Sequence, residues 1–122
     1  METTRLRFIR NHMVSMRQHR QRDAVFRAVA DPTRREILEI LRGGRQTVGG
    51  IARNFRMSRP AISKHIHLLH KAGLLETRSE GTTTMCSLNP KPLREINTWL
   101  RDYEAFWTAS LESLKKYLEE GR

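Results

Sequence analysis

Thr47-Val48-Gly49-Gly50-Ile51-Ala52-Arg53-Asn54-Phe55-Arg56-Met57-Ser58-Arg59-Pro60-Ala61-Ile62-Ser63-Lys64-His65-Ile66-His67-Leu68-Leu69-His70-Lys71-Ala72-Gly73 is the stretch that decides the fold. Thr47 can cap a helix on which Val48, Ile51, Ala52 and Phe55 share one face, and Arg56-Met57 breaks it. Ser58 then caps a second helix whose first turn tolerates Pro60, because an amide there would lack a helical partner anyway. Ile62, Ile66 and Leu69 form its inner stripe, and Gly73 stops it. Helix, tight turn and helix in this order is the unit that presents a helix to a DNA groove.

The flanks extend the unit into a domain. Upstream, Val25, Phe26 and Val29 give a short apolar helical face ending at Asp31-Pro32, where Asp31 can cap a helix from Pro32 to Arg42 that buries Ile37, Leu38 and Leu41. Gly43-Gly44 ends it. Downstream, Leu74 to Ser79 reads as a strand, Glu80-Gly81 as a turn, and threonine-rich Thr82 to Leu88 as the returning strand of a two-stranded hairpin. From about Pro92 to Glu120 the sequence is helical again, with Trp99, Tyr103, Phe106, Trp107, Leu111, Leu114 and Leu118 near one side. The expected fold is mainly α with a small β-hairpin wing, a winged helix-turn-helix that dimerises through the long C-terminal helix. Its parts are a basic N-terminal arm over residues 1–22, a DNA-binding core over 23–90 and a dimerisation helix over 91–122.

Once the core has taken Ile62, Ile66 and Leu69, helix 58–72 has Arg59, Ser63, Lys64, His67 and Lys71 left on its outer face. All can donate hydrogen bonds and none is acidic, which suits the N7 and O6 acceptors that purines display in the major groove. Ser58 and the first-turn amides turn the positive helix end toward a phosphate. Any charged helix surface can be a merely solvated one; the preceding helix, the hairpin and the charge balance favour groove reading here.

The 122 residues suffice for one modest core. A net charge of +10 points to a polyanionic partner, and half of it lies in Met1 to Arg22, where Arg5, Arg7, Arg10, Arg17, Arg20 and Arg22 face only Glu2. Leu6, Ile9, Met13 and Met16 in this arm keep helical spacing, so it reads either as an amphipathic helix or as a mobile extension. One cysteine, Cys86, permits no internal disulfide and fits a reducing compartment; on a strand it reads as a small buried apolar residue rather than a redox sensor. With no apolar run of about 18 residues, a soluble cytoplasmic protein without membrane attachment is expected.

Three blocks together resemble the ArsR-type winged-helix regulators: Ala30-Asp31-Pro32-Thr33-Arg34-Arg35-Glu36-Ile37-Leu38, Ser58-Arg59-Pro60-Ala61-Ile62-Ser63-Lys64-His65-Ile66, and Ala72-Gly73-Leu74-Leu75 with Glu80-Gly81. The resemblance runs from about Asp23 to Leu88. It implies a homodimeric repressor whose paired recognition helices enter successive major grooves of a near-palindromic operator. Carried over by motif, DNA contact falls to Ser58, Arg59, Ser63, Lys64 and His67, with Arg78 on the wing. Apart from the resemblance, the bulky stripe of the last helix reads as a dimer seam or a ligand pocket; the seam is favoured, with Trp99, Tyr103, Phe106, Trp107, Leu111 and Leu114 as the candidates for the dimer interface.

The departures are equally informative. Metal-sensing members carry paired cysteines near the start of the third helix, or acidic and histidine ligands in the last. Here the first place reads Gln46-Thr47-Val48-Gly49-Gly50-Ile51, and the last helix has no histidine. The resemblance is therefore to the branch without metal-sensing cysteines: no metal, no cofactor, and an inducer the sequence does not name. His65, His67 and His70 do not share a face, so packing and DNA contact account for them. At the wing, Thr82 and Cys86 stand where relatives often carry a basic residue and tyrosine, which weakens the case for insertion into the minor groove.

Catalysis is not expected, since the acids are scattered and there is no phosphate loop, activated nucleophile or chelating cluster. The alternative is a non-specific basic protein that coats DNA or RNA. Preference for one operator over bulk DNA separates the two.

Overall fold

A computed structural model describes the backbone of residues 4–121, and the side chains of residues 16, 17 and 19–121. The order is α1 (Thr4–Val29), α2 (Pro32–Arg42), β1 (Gln46–Thr47), α3 (Val48–Ala52), α4 (Arg59–Lys71), β2 (Leu75–Glu80), β3 (Thr83–Leu88) and α5 (Lys91–Glu120). Two compact units result, Met1–Pro92 and Leu93–Arg122. The first is a winged helix-turn-helix; the second is the body of the long last helix.

Residues 4–29 contain neither glycine nor proline, and α1 runs through them without interruption, where a new start near Asp23 was expected. From Thr4 onward the backbone of the basic arm is thus helical and continuous with the core. The side chains of Leu6, Ile9 and Met13 lie outside the described residues, and Met16 is exposed.

At the next corner, Asp31 caps α2 by accepting the Arg34 amide at 3.0 Å. Two guanidiniums of α2 then reach back to the end of α1, whose last carbonyls lack helical partners. Arg34 donates from Nε to the Ala28 carbonyl at 2.7 Å and from Nη2 to that of Arg27 at 2.9 Å. Arg35 Nη1 donates to the Val29 and Ala30 carbonyls at 2.9 and 3.0 Å. Cations at the negative helix end are favourable by dipole as well as by hydrogen bond.

The core under this corner is apolar. Val25, Ile37, Leu41, Ile51, Ile62, Ile66, Leu69, Leu74, Leu75 and Cys86 are buried. Leu38, expected among them, is only half-buried.

Three features differ from the sequence expectation. First, α3 ends at Ala52, so Phe55 falls in the following turn and not on a helical face. Gly49-Gly50 weakens the helix, and Asn54 Nδ2 takes the Gly50 carbonyl at 3.0 Å and the Ile51 carbonyl at 3.3 Å, competing with helix continuation. Second, β1 adds a third strand. It pairs antiparallel with β3, Gln46 opposite Cys86 and Thr47 opposite Met85, in the sheet order β1-β3-β2. A two-residue strand shows no periodicity, so only its distant partner defines it. Third, β2 is displaced by a residue, to Leu75–Glu80, and β3 begins at Thr83 in place of Thr82 while ending at Leu88 as expected.

The wing closes as a hairpin, as expected, but its turn is Gly81-Thr82 where Glu80-Gly81 was expected. Glu80 pairs with Thr83 across the Gly81-Thr82 loop, and Gly81 takes the positive φ of 63° that this tight turn requires. At the end of α4, Gly73 has φ 83°, its amide donates to the His70 carbonyl, and the Leu74 amide donates to that of Leu69. That pair of bonds is a Schellman stop, and it delivers the chain directly into β2. Asn89 staples the other end of the wing, with its amide on the Leu74 carbonyl and its Nδ2 on that of Gly73.

Candidate nucleic-acid interface

The candidate surface is the outer side of α4. Thr47 caps α3 through the Gly50 amide at 3.0 Å, and Ser58 caps α4 through the Ala61 amide at 3.3 Å. The two caps fix where each helix of the unit begins. Ile62, Ile66 and Leu69 are buried beneath, so the phase of α4 is set by packing. Arg59, Ser63, Lys64, His67 and Lys71 are consequently all exposed. The first turn contains no acid.

Arg59 lies across the start of α3: a Cβ built on Gly49 would stand 3.5 Å from its Nη2. The guanidinium thus rests at ordinary contact distance from the first turn of α3. Ser58 is exposed but its Oγ already accepts the Ala61 amide, so it serves first as a cap. Arg78 is exposed on β2, opposite Met85, and belongs to the wing rather than to the helix face.

His65 does not join this face. It is half-buried, with Nδ1 at 3.3 Å from Arg34 Nη1 and 3.9 Å from Asp31 Oδ2. Arginine can only donate, so Nδ1 acts as the acceptor toward Arg34. The Asp31 carboxyl is held below its ordinary value, first by the Arg34 amide, against partial desolvation, and then by the Arg34 charge. The α1–α2 corner and α4 thus share one polar cluster.

Two features escaped the sequence. Leu68 is exposed beside Lys64 and His67, an apolar side chain on an otherwise polar face. Arg45 lies 3.7 Å from Glu80, an exposed ion pair between the β1 approach and the wing. The first has no signal beyond helical phase; the second depends on the unforeseen β1–β3 pairing. Cys86 is fully buried, and burial pushes its thiol up, away from the reactive thiolate.

Among the described residues no three His, Cys, Asp or Glu side chains gather as a metal site. Nor is any described helix long and apolar enough to cross a membrane.

In α5, Trp99 and Tyr103 meet edge to face at 5.0 Å. Trp99 is half-buried, whereas Tyr103, Phe106, Trp107, Leu111 and Leu114 are exposed, together with Leu100, Tyr117 and Leu118. The spacing 100, 103, 107, 111, 114, 118 draws one apolar stripe along the helix.

Comparison with known proteins finds a match of residues 31–77 to the family described as bacterial regulatory protein, arsR family. The transcriptional repressor SdpR of Bacillus subtilis is 39% identical over 79 residues, which are 65% of this chain and 88% of that protein. The HTH-type transcriptional regulator Rv2034 of Mycobacterium tuberculosis is 36% identical over 104 residues, 85% of this chain and 94% of its own. Among solved structures, an ArsR-like transcriptional regulator from Rhodococcus sp. RHA1 superposes with a TM-score of 0.65 at 30% identity, covering 80% of this chain and 92% of its own.

Proposed function

The chain belongs to the ArsR family of bacterial transcriptional regulators, DNA-binding proteins and not enzymes, and from that premise we propose that it is a homodimeric repressor of a near-palindromic operator. The observation that carries this is the outer face of α4: five exposed donor side chains, no acid, on a helix capped at its start and locked in phase by its buried stripe. Arg59 and Lys64 pair with guanine edges, Ser63 and His67 contact neighbouring bases, and Ser58 and the first-turn amides face a phosphate. Arg78 meets the backbone from the wing. The arm of residues 1–22 follows phosphates further along the duplex in the cytoplasm, where the operator lies.

Repression in place of activation is supported by the relative in Bacillus subtilis, which is named a repressor. Dimerisation is supported by the exposed aromatic and leucine stripe of α5, since a contiguous apolar patch on a soluble protein marks an interaction surface. Trp99, Tyr103, Phe106, Trp107, Leu111 and Leu114 form its seam. The chain acts without a metal, and neither metal-sensing position carries its ligands.

Selection of bound fragments from genomic DNA tests the proposal. A two-fold-symmetric motif, weakened in selectivity by Arg59→Ala and Lys64→Ala, is the expected result. Fragments without a shared motif would make it a coating protein instead.

A further inference from the structure

Between α1 and the second half of α4 lies a hollow of about 570 Å³, within the size range of small-molecule sites. Its floor is apolar: Ala24 and Ala28 stand one turn apart on α1, and Leu68 of α4 and Ala72, the residue that caps α4, also line it. Ala28 and Ala72 are buried, while Leu68 is 45% exposed. Larger side chains at the three alanines would close the space.

The rim is cationic. Arg27 and Lys71 stand on it, both exposed. Arg27 uses Nε on the Asp23 carbonyl at 3.4 Å; its terminal nitrogens, and the Lys71 ammonium, have no hydrogen bond or ion pair among the described residues. Arg34 also borders the hollow, but its guanidinium is already held by the Ala28 and Arg27 carbonyls and by His65. These contacts take three of its five N–H donors, so its contribution to the hollow is mainly field. No acid lines the space.

An apolar floor beside two uncommitted cations has a defined complement. We propose that this hollow binds a small organic carboxylate, its aromatic or aliphatic body on the alanine and leucine floor and its carboxylate between Arg27 and Lys71. Neutral apolar molecules leave the cations unused, and inorganic anions or a DNA phosphate leave the floor wet. Lys71 is one turn from His67 on the face proposed to read DNA, so a carboxylate here cancels positive charge on that helix and lowers operator affinity. That last consequence rests on the proposed function; binding to the hollow does not. Coupling of this kind is reciprocal, so operator DNA weakens the ligand by the same factor.

The test uses 2-naphthoate as the probe and 2-naphthylmethanol as its uncharged counterpart, titrated into the full-length protein without DNA and followed by amide NMR. The expected result is a saturable shift at Ala24, Ala28, Leu68 and Ala72 with a dissociation constant below about 1 mM, and binding of the alcohol at least about tenfold weaker. Ala24→Leu, which fills the floor with a good helix former, should abolish the shifts. Arg27→Gln with Lys71→Gln, both at exposed positions, should weaken naphthoate about tenfold and leave the alcohol unchanged. Absence of saturable shifts, equal binding of acid and alcohol, or indifference to Ala24→Leu would each overturn the site. So would shifts at the same amides on concentrating the protein alone, which would assign the hollow to a second copy. Because no DNA is present, none of these results depends on whether α4 reads an operator.

Discussion

Helices α4 and α5 are both amphipathic, yet they leave opposite surfaces to solvent. In α4 the apolar stripe of Ile62, Ile66 and Leu69 is buried and the donors Arg59, Ser63, Lys64 and His67 are exposed. In α5 the exposed surface carries the large apolar groups, with Phe106 at 72% and Trp107 at 64% exposure. A helix that has satisfied its oily side seeks a polar partner; one that has not seeks another oily surface. The two helices therefore call for chemically different partners, a polyanion for α4 and, as proposed above, a second copy for α5.

The largest effect is expected in α5, the proposed seam. Leu111→Glu with Leu114→Glu puts two charges into the stripe, and the expected outcome is a monomer in sedimentation velocity. Operator affinity should fall by more than about a hundredfold, because linking two half-site readers makes the second binding step effectively intramolecular. A dimer of unchanged stability would remove α5 from that role. Arg59→Ala and Lys64→Ala sharpen the other side. Each should cost about 1–3 kcal/mol per half-site in a binding titration and relax selectivity at one base position, while the oligomeric state stays unchanged. Uniform weakening across all sequences would demote either residue to a phosphate contact.

A smaller effect is expected from α1. Arg17→Gln with Arg20→Gln, at two exposed positions, should reduce the slope of log affinity against log salt by about 0.9 for each phosphate that is no longer neutralised. Selectivity between operator and mismatched sites should not change. An unaltered slope would show that the charge of this helix serves something other than DNA.

What the sequence disclosed follows the range of the interactions involved. The start of α2 at Asp31-Pro32, the start of α4 after Ser58 and its stop at Gly73 are written in adjacent residues, so caps and breakers locate them. The outward placement of Arg59, Ser63, Lys64 and His67 follows from helical phase alone once the isoleucines are assigned inward. Strand β1 exists only because Gln46 and Thr47 meet Cys86 and Met85, about forty residues away in the chain, and no local pattern announces that. The end of α3 at Ala52 was hidden for a related reason. Val48, Ile51, Ala52 and Phe55 keep helical spacing, but the Asn54 side chain takes the carbonyls that continuation would use. Arg34 and Arg35 were visible as part of a motif; their grip on the end of α1 needed coordinates.

The smallest effect concerns how α4 is held, and it lies at Asp31. This carboxylate caps α2 and stands 3.9 Å from His65 of α4, with its proton affinity lowered mainly by the Arg34 amide. A lowered carboxyl pKa means that the folded state prefers the ionised form, so the associated stability is present above the unfolded value of about 3.9 and disappears as pH falls through the folded one. Asp31→Asn keeps a capping oxygen but removes the charge. At neutral pH it should lower unfolding stability by about 0.3–1 kcal/mol, the range for a charge at a helix start, as read from urea denaturation. The difference between the two proteins should shrink as the pH drops below about 4, where Asp31 of the unfolded chain takes up its proton, and vanish below the lowered value of the folded state. A gap that persisted undiminished to about pH 2, below the usual carboxylate range, would trace the loss to altered hydrogen bonding and not to charge. Since the same substitution leaves the α4 donors and the α5 stripe intact, operator affinity at neutral pH should change less than for any variant above. A larger loss would mean that the corner holding His65 sets the pitch of the reading helix on DNA.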